Sequence, residues 1–97
     1  MVNGEAVEFE TPDIERGRDC LVNLMGQYFL SRILDVSEDR VTVSFPGVDY
    51  PAAGMYLELQ FHDENGFNCY RSQVEAGPLD HPGKILIRRP NAMDRME

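Results

Sequence analysis

The chain has 97 residues, of which 42% are hydrophobic, so it is long enough for one globular domain with one core. Its 17 acidic and 9 basic side chains give a formal net charge of −8. This charge opposes contact with the phosphates of nucleic acid or with an anionic membrane. Composition therefore excludes a second lobe, wholesale disorder and broad electrostatic binding of a nucleic acid polymer.

The first half of the chain predicts an acidic arm followed by three strands. Residues 1–15 are acidic and aperiodic, which is typical of a mobile arm. A short apolar run at 20–24 predicts the first strand, and 27–36 predicts a long strand with apolar residues on both faces. The polar turn 37–39 joins it to 41–45, where apolar and hydroxyl side chains alternate. The strands at 27–36 and 41–45 are expected to form an antiparallel hairpin.

The second half predicts three more strands. The prolines and glycines of 46–54 exclude a regular element there. Residues 55–62 give the clearest period-two pattern, and the turn Asp63-Glu64-Asn65-Gly66 is hairpin chemistry. The return strand is predicted at 67–74 and the last strand at 84–88.

Six short strands without an amphipathic helix predict an all-β fold, a small six-stranded antiparallel split β-barrel over residues 16–90. Residues 91–97 predict the start of a linker or helix, with Asn91 as N-cap and Asp94 in the capping-box position. The predicted core residues are Leu21, Leu30, Val41, Val43, Leu57, Leu59, Phe61 and Ile85.

Cysteines and apolar runs indicate the compartment. Cys20 and Cys69 lie in apolar runs and match no zinc or redox spacing. The N-terminus has no signal-peptide pattern, and no apolar run reaches the roughly 18 residues of a transmembrane helix. The sequence predicts a soluble, cytoplasmic protein with buried free thiols and no membrane insertion.

Catalytic patterns are missing from the sequence. His62 lies on the polar side of a strand and His81 in a loop rich in proline and glycine. Neither histidine has a partner at the spacing of a triad or a metal site. We therefore predict a non-enzymatic protein with no catalytic residue, no cofactor and no metal.

Two polar features point to a ligand instead. Arg16 and Arg18 precede the first strand, and guanidinium groups bind phosphate and guanine bidentately. Their alternative role is to neutralise nearby carboxylates. Asp35 and Ser37 follow the second strand, where turn capping competes with ligand binding. A second group of arginines lies near the C-terminus: Arg88, Arg89 and Arg95.

This order of features resembles the PilZ superfamily, whose members are bacterial receptors for cyclic di-GMP on a six-stranded β-barrel. Their signature is Arg-x-x-x-Arg before the first strand and D/N-x-S-x-x-G at the turn between the second and third strands. Asp35 and Ser37 match the second motif, with Arg40 in place of the glycine, whereas Cys20 stands four residues after Arg16. The ligand residues that the resemblance implies are Arg16, Arg18, Asp35, Ser37 and Arg40.

Five further features occur in a fixed order along the chain. They are a glycine-containing stretch at 15–19, the strand 28–36, Phe45-Pro46, Gly54 before the long hairpin, and Ile-Leu-Ile-Arg-Arg-Pro at 85–90. Over roughly residues 14–90 this order resembles the N-terminal companion domain of flagellar-brake-type PilZ proteins, often called PilZN. In such proteins the exit strand leads into an Arg-rich linker and a ligand-binding PilZ domain. The resemblance therefore implies that the chain is one domain of a longer protein.

The resemblance implies a non-enzymatic regulatory module in cyclic di-GMP signalling and flagellar motility, with a degenerate ligand site. Its expected partner is a C-terminal PilZ domain of the parent chain or a motility or secretion protein. One alternative is a variant PilZ domain that binds cyclic di-GMP directly. A second alternative is a flavin-binding split barrel, which the small size and the missing phosphate-binding cluster disfavour.

Overall fold

Six antiparallel strands close into a barrel in a computed structural model of the chain, which describes residues 14–47, 51–63, 66–76 and 83–96. The strands are β1 Asp19–Leu24, β2 Gln27–Val36, β3 Arg40–Ser44, β4 Tyr56–Asp63, β5 Gly66–Ala76 and β6 Lys84–Arg88. Their order around the barrel is β1-β2-β3-β6-β5-β4. The prediction of a small all-β barrel with six strands is confirmed.

The predicted strands are all present, with small differences at their ends. β2 bends as its two apolar faces indicated, because residues 27–32 pair with β1 and residues 33–36 pair with β3. A β-bulge between Ile33 and Asp35 makes this bend, and a second bulge lies between Val74 and Ala76 of β5. Bulges increase the local twist of a strand, which allows the sheet to close.

Parts of the sequence-based predictions lie outside the described residues. These are residues 1–13 of the predicted arm, residues 48–50 of the first loop, residues 64–65 of the predicted hairpin turn, the loop 77–82 with His81, and residue 97. Ile14 is described and is only 6% exposed, packed with the core of the barrel. Contacts with the barrel core therefore extend at least to residue 14.

The predicted core was wrong for β1 and β2. Leu30 is 71% exposed and Leu21 is half-buried, whereas Val22 and Ile33 are fully buried. Leu21 pairs with Leu30 across the two strands, so both leucines lie on the outer face of the barrel. Successive residues of a strand point to opposite faces, and an error of one residue therefore reverses the whole face. The other predicted core residues are buried: Val41, Val43, Leu57, Leu59, Phe61 and Ile85.

The predicted capping box is confirmed, and it begins a single turn of 3-10 helix at Ala92–Asp94. The Asn91 side chain accepts the Met93 N–H at 2.8 Å, and the Asp94 carboxylate accepts the Asn91 N–H at 2.8 Å. Arg88 of β6 donates two hydrogen bonds to Asp94, at 3.0 and 3.1 Å. Beyond this turn, the Met96 N–H donates to a β5 carbonyl at 2.8 Å. The end of the segment therefore pairs alongside β5.

Asp94→Asn should lower the free energy of unfolding by about 1–2 kcal/mol at neutral pH, because hydrogen bonds to charged groups are stronger than neutral ones. Hydrogen bonds from Arg88 hold the pKa of Asp94 below its ordinary value of 3.8. A carboxyl with a lowered folded-state pKa stabilises the fold above its unfolded pKa. This contribution disappears as the pH falls through the lower folded value.

Urea denaturation of the wild type and Asp94→Asn across this acidic range measures the effect. The stability difference should be full at neutral pH and should shrink once the pH is below 3.8. The matched control is Asp19→Asn, since Asp19 forms an exposed pair with Arg32 at 3.0 Å and should lose at most about 0.5 kcal/mol. An undiminished difference in acid would contradict the assigned role of the Arg88 pair.

Candidate ligand-binding site

The backbone ahead of β1 places Arg16 beside Asp35. Gly17 adopts a φ of 89°, in the left-handed region where glycine is favoured, and turns the chain there. The Gly17 N–H donates to the Ile33 carbonyl at 2.6 Å, and the Ile33 N–H donates to the Arg18 carbonyl at 2.8 Å. The Arg16 guanidinium then lies 3.4 Å from the Asp35 carboxylate. Two predicted ligand residues that are distant in the sequence thus lie side by side.

Arg18 is directed away from this pair. Its guanidinium lies over the Phe61 ring, 4.9 Å from the centroid, and donates a hydrogen bond to the His62 carbonyl. Both contacts are on β4, across β1 from the Arg16 side chain. Arg16 and Arg18 therefore do not converge on a single position that a phosphate would occupy.

Ser37 and Arg40 close the turn between β2 and β3. The Ser37 hydroxyl accepts the Arg40 N–H and donates to the Arg40 carbonyl, both at 3.2 Å. The Arg40 side chain extends to β5, where its Nε lies 3.1 Å from the Glu75 carboxylate. The turn-capping interpretation of Ser37 accounts for both hydrogen-bonding functions of its hydroxyl.

Arg89 also belongs to this site, although sequence analysis placed it in a separate cluster. Its guanidinium donates to the Ser37 carbonyl at 2.9 Å, and its N–H donates to the Asp39 carbonyl at 2.9 Å. The pairing of β3 with β6, which sets Arg40 opposite Arg88, brings Arg89 to the turn. No local pattern indicates which strands become neighbours, so the sequence carried no signal for this contact.

This end of the barrel carries charged side chains of both signs. Two of its three guanidinium groups bind carboxylates, and the third binds one backbone carbonyl. The carboxylates outnumber these arginines, since two exposed acidic side chains of the turn add to the paired ones. The groups are Arg16, Arg40 and Arg89 against Asp35, Glu38, Asp39 and Glu75. Lys84, in the pocket beside Asp35, offsets this excess of one carboxylate, so the charges offer an approaching dianion no net attraction.

A surface pocket of about 340 Å³ lies beside Asp35. Two of its lining residues, Asp35 and Ala76, belong to the bulges of β2 and β5. Its other lining residues include Lys84, whose exposed amine makes no hydrogen bond or ion pair with the described part of the chain. The pocket has room for a small chemical group and is lined by one cation, Lys84, and one carboxylate, Asp35.

The thiols and histidines do not form a reactive centre among the described residues. Burial raises the pKa of Cys20 to about 12, so its nucleophilic thiolate form is scarce at neutral pH. Burial, together with the nearby Glu58 carboxylate, raises the pKa of Cys69. His62 is exposed on β4, while His81 is not described. Within the described ranges, no cluster of three potential metal ligands occurs.

Arg18 thus lies against β4, apart from the other candidate residues. Those that lie together at one end of the barrel are Arg16, Asp35, Ser37, Arg40 and Arg89. In the described segments, no helix is long and apolar enough to cross a membrane. What the structure shows is a small, closed, six-stranded β-barrel. Comparison of the chain with protein-family models, with curated proteins and with solved structures found no match in any of the three.

Proposed function

We propose that this barrel is a non-enzymatic, PilZ-like regulatory module that acts through protein contacts and has a degenerate cyclic di-GMP site. The observation that carries the proposal is that the polar groups of the motif bind the barrel itself. The Ser37 hydroxyl is used twice by the Arg40 backbone, and the Arg40 guanidinium is held by Glu75. Ligand binding would have to displace these internal contacts.

Arg40 stands at the position where the PilZ motif has glycine. Glycine leaves the turn open to close approach by a ligand, whereas Arg40 adds a long side chain that crosses to β5. Arg18, the other arginine near the expected ligand, is occupied by the Phe61 ring and the His62 carbonyl. The groups that would grip two phosphates and a guanine therefore do not face one position.

The test is a titration of the chain with cyclic di-GMP, followed by calorimetry and by amide chemical shifts. The proposal predicts no saturable binding below about 1 mM, since the paired and dispersed arginines leave little binding free energy. Micromolar binding that is lost in Arg16→Ala or Arg18→Ala would refute it. Arg32→Gln is the matched control, because Arg32 forms an exposed pair elsewhere on the barrel.

Direct binding of cyclic di-GMP is a second candidate, favoured by the pocket beside Asp35. The Arg16–Asp35 pair is exposed, with 75% and 63% of the two side chains accessible, and such pairs exchange partners at little cost. Arg16 and Lys84 would then provide two cations at the 340 Å³ pocket. In the same titration this candidate predicts micromolar affinity and at least about tenfold weaker binding of Lys84→Gln.

A further inference from the structure

A second polar surface lies on the outer face of β1, β4 and β5, away from the Arg16–Asp35 pair. In the register of the sheet, Glu58 of β4 lies opposite Asn23 of β1 on one side and opposite Arg71 of β5 on the other. These three residues line a surface pocket of about 390 Å³, together with Met25, Tyr56 and Met96. We call this pocket and the C-terminal residues beside it the Arg71 face.

The C-terminal segment extends the Arg71 face. A neighbouring pocket of about 380 Å³ shares Arg71 and Met96 with the first and adds Met93, Asp94 and Arg95. Arg95 forms an antiparallel bridge with Tyr70, the residue before Arg71, and so lies alongside β5. The two guanidinium groups therefore line the same continuous surface.

The arginines of this face differ from the others that the structure describes. Arg16, Arg32, Arg40 and Arg88 each bind a carboxylate. Arg71 and Arg95 are both exposed, and neither side chain makes a hydrogen bond or ion pair with a described residue. In a chain of net charge −8, these two adjacent guanidinium groups have no direct partner among the described residues, and Arg71 also helps to lower the pKa of nearby Asp94.

The carboxylates on the Arg71 face are already used by the barrel. Glu58 accepts hydrogen bonds from Asn23 at 3.3 Å and from Gln60 at 3.2 Å, and lies 3.6 Å from the Cys69 sulfur. Asp94 is bound by Arg88. Because these anions have internal donors, the guanidinium groups of Arg71 and Arg95 keep their hydrogen-bond donors available for an external anion.

Large apolar side chains surround the two arginines. Met25 is 85% exposed, Met93 is 73% exposed and Tyr56 is 64% exposed. Exposed apolar groups next to arginine are typical of the centres of protein interfaces, where Tyr, Met and Arg are enriched. Methionine also adapts its shape to a partner.

The conformation of the turn between β1 and β2 does not account for a methionine at position 25. It adopts a φ of 53°, in the left-handed region that Asn or Gly would occupy with less strain. Its side chain makes little use of the barrel, since 85% of the residue is exposed. A methionine at this position costs local stability and gains an apolar group at the rim of the pocket.

We propose that the Arg71 face docks an acidic segment of a partner protein that also carries a large apolar side chain. Carboxylates of the partner pair with Arg71 and Arg95, while its apolar side chain packs against Met25 and Tyr56. This inference rests on the proposed function as a module that acts through protein contacts. It adds which surface is used and what chemistry the partner presents.

The test is selection of random twelve-residue peptides on the folded chain by display, followed by titration of the selected peptides against the isotope-labelled protein. We expect enriched sequences to combine Asp or Glu with Leu, Phe or Met. Amide shifts should concentrate at Arg71, Arg95, Met25 and Tyr56. Affinity should fall by at least about fivefold in Arg71→Gln and in Arg95→Gln, and should weaken with added salt.

Arg32→Gln is the matched control, because it removes one exposed positive charge from another part of the outer face and should change affinity by less than about twofold. All these exchanges are at exposed positions, and circular dichroism checks that each variant is folded. Selection of no acidic peptide, or binding that is insensitive to both Arg71→Gln and Arg95→Gln, would overturn the proposal. A self-association in sedimentation that these variants abolish would assign the face to a second copy and would also overturn it.

The failure of this inference can be distinguished from the failure of the proposed function. Peptides that perturb only the turn at 37–40 would move the protein contact to another surface and leave the proposed function standing. Micromolar cyclic di-GMP binding through Arg16 would instead refute the degenerate site, whatever the peptides do on the Arg71 face.

Discussion

Ile33→Ala should lower the free energy of unfolding by about 3–4 kcal/mol, whereas Leu30→Ala should lower it by less than about 1 kcal/mol. Ile33 is fully buried inside the barrel, and removal of its side chain leaves a cavity that a closed sheet cannot easily collapse. Leu30 is 71% exposed on the outer face, so its truncation removes few contacts. The two positions are on the same strand and carry side chains of equal size.

Urea denaturation of the two variants and the wild type measures the difference. The midpoint should fall strongly for Ile33→Ala and little for Leu30→Ala, with similar slopes for all three proteins. Equal losses, or a larger loss for Leu30→Ala, would mean that β2 presents its other face to the core. Since β1 is paired in register with β2, the assignment of Val22 and Leu21 would then be reversed as well.

Gly47→Ala should destabilise the barrel by about 2 kcal/mol, because the added methyl group would collide with a pair of packed aromatic rings. The rings of Phe29 and Phe45 lie with centroids 4.7 Å apart. A Cβ atom on Gly47 would stand 2.8 Å from the Phe45 ring and 3.0 Å from the Phe29 ring. Phe45 is only 2% exposed and has little room to move away.

A double-mutant cycle with Phe45→Leu checks this cause. Leucine lacks the ring atoms that the new Cβ would meet, so Gly47→Ala should cost less than about 1 kcal/mol in the Phe45→Leu background. An unchanged cost would show that backbone conformation, and not the ring contact, requires glycine. The structure favours the steric cause. Gly54 has a positive φ of 95° and open space around a new Cβ atom, whereas the φ of Gly47 is outside that positive range and its new Cβ atom would meet two rings.

The two candidate surfaces of the barrel differ in how their charges are satisfied. At the β2–β3 turn, Arg16 and Arg40 are neutralised by carboxylates of the same chain. On the Arg71 face, Arg71 and Arg95 are exposed beside large apolar side chains. The peptide and cyclic di-GMP titrations therefore address different residues, and their outcomes can be read separately.

Local signals were enough to predict most of the secondary structure. Period-two alternation identified β3 and β4 together with their buried faces, and turn chemistry identified the hairpin that joins β4 to β5. The capping box at Asn91 and Asp94 was also readable, because it depends on two side chains three residues apart. Each of these features is decided by residues that are close together in the chain.

The sequence by itself therefore determined the strand positions, the barrel class and the composition of the turn at Ser37. Only the tertiary structure decided which face of β2 is buried, since both faces carry apolar residues and only closure of the barrel selects between Leu30 and Ile33. Closure also decided which arginines meet. The pairing of β3 with β6 carries Arg89 to Ser37, and the pairing of the C-terminal segment with β5 sets Arg95 beside Arg71. Such contacts depend on strand order, which is a property of the whole chain and leaves no local pattern.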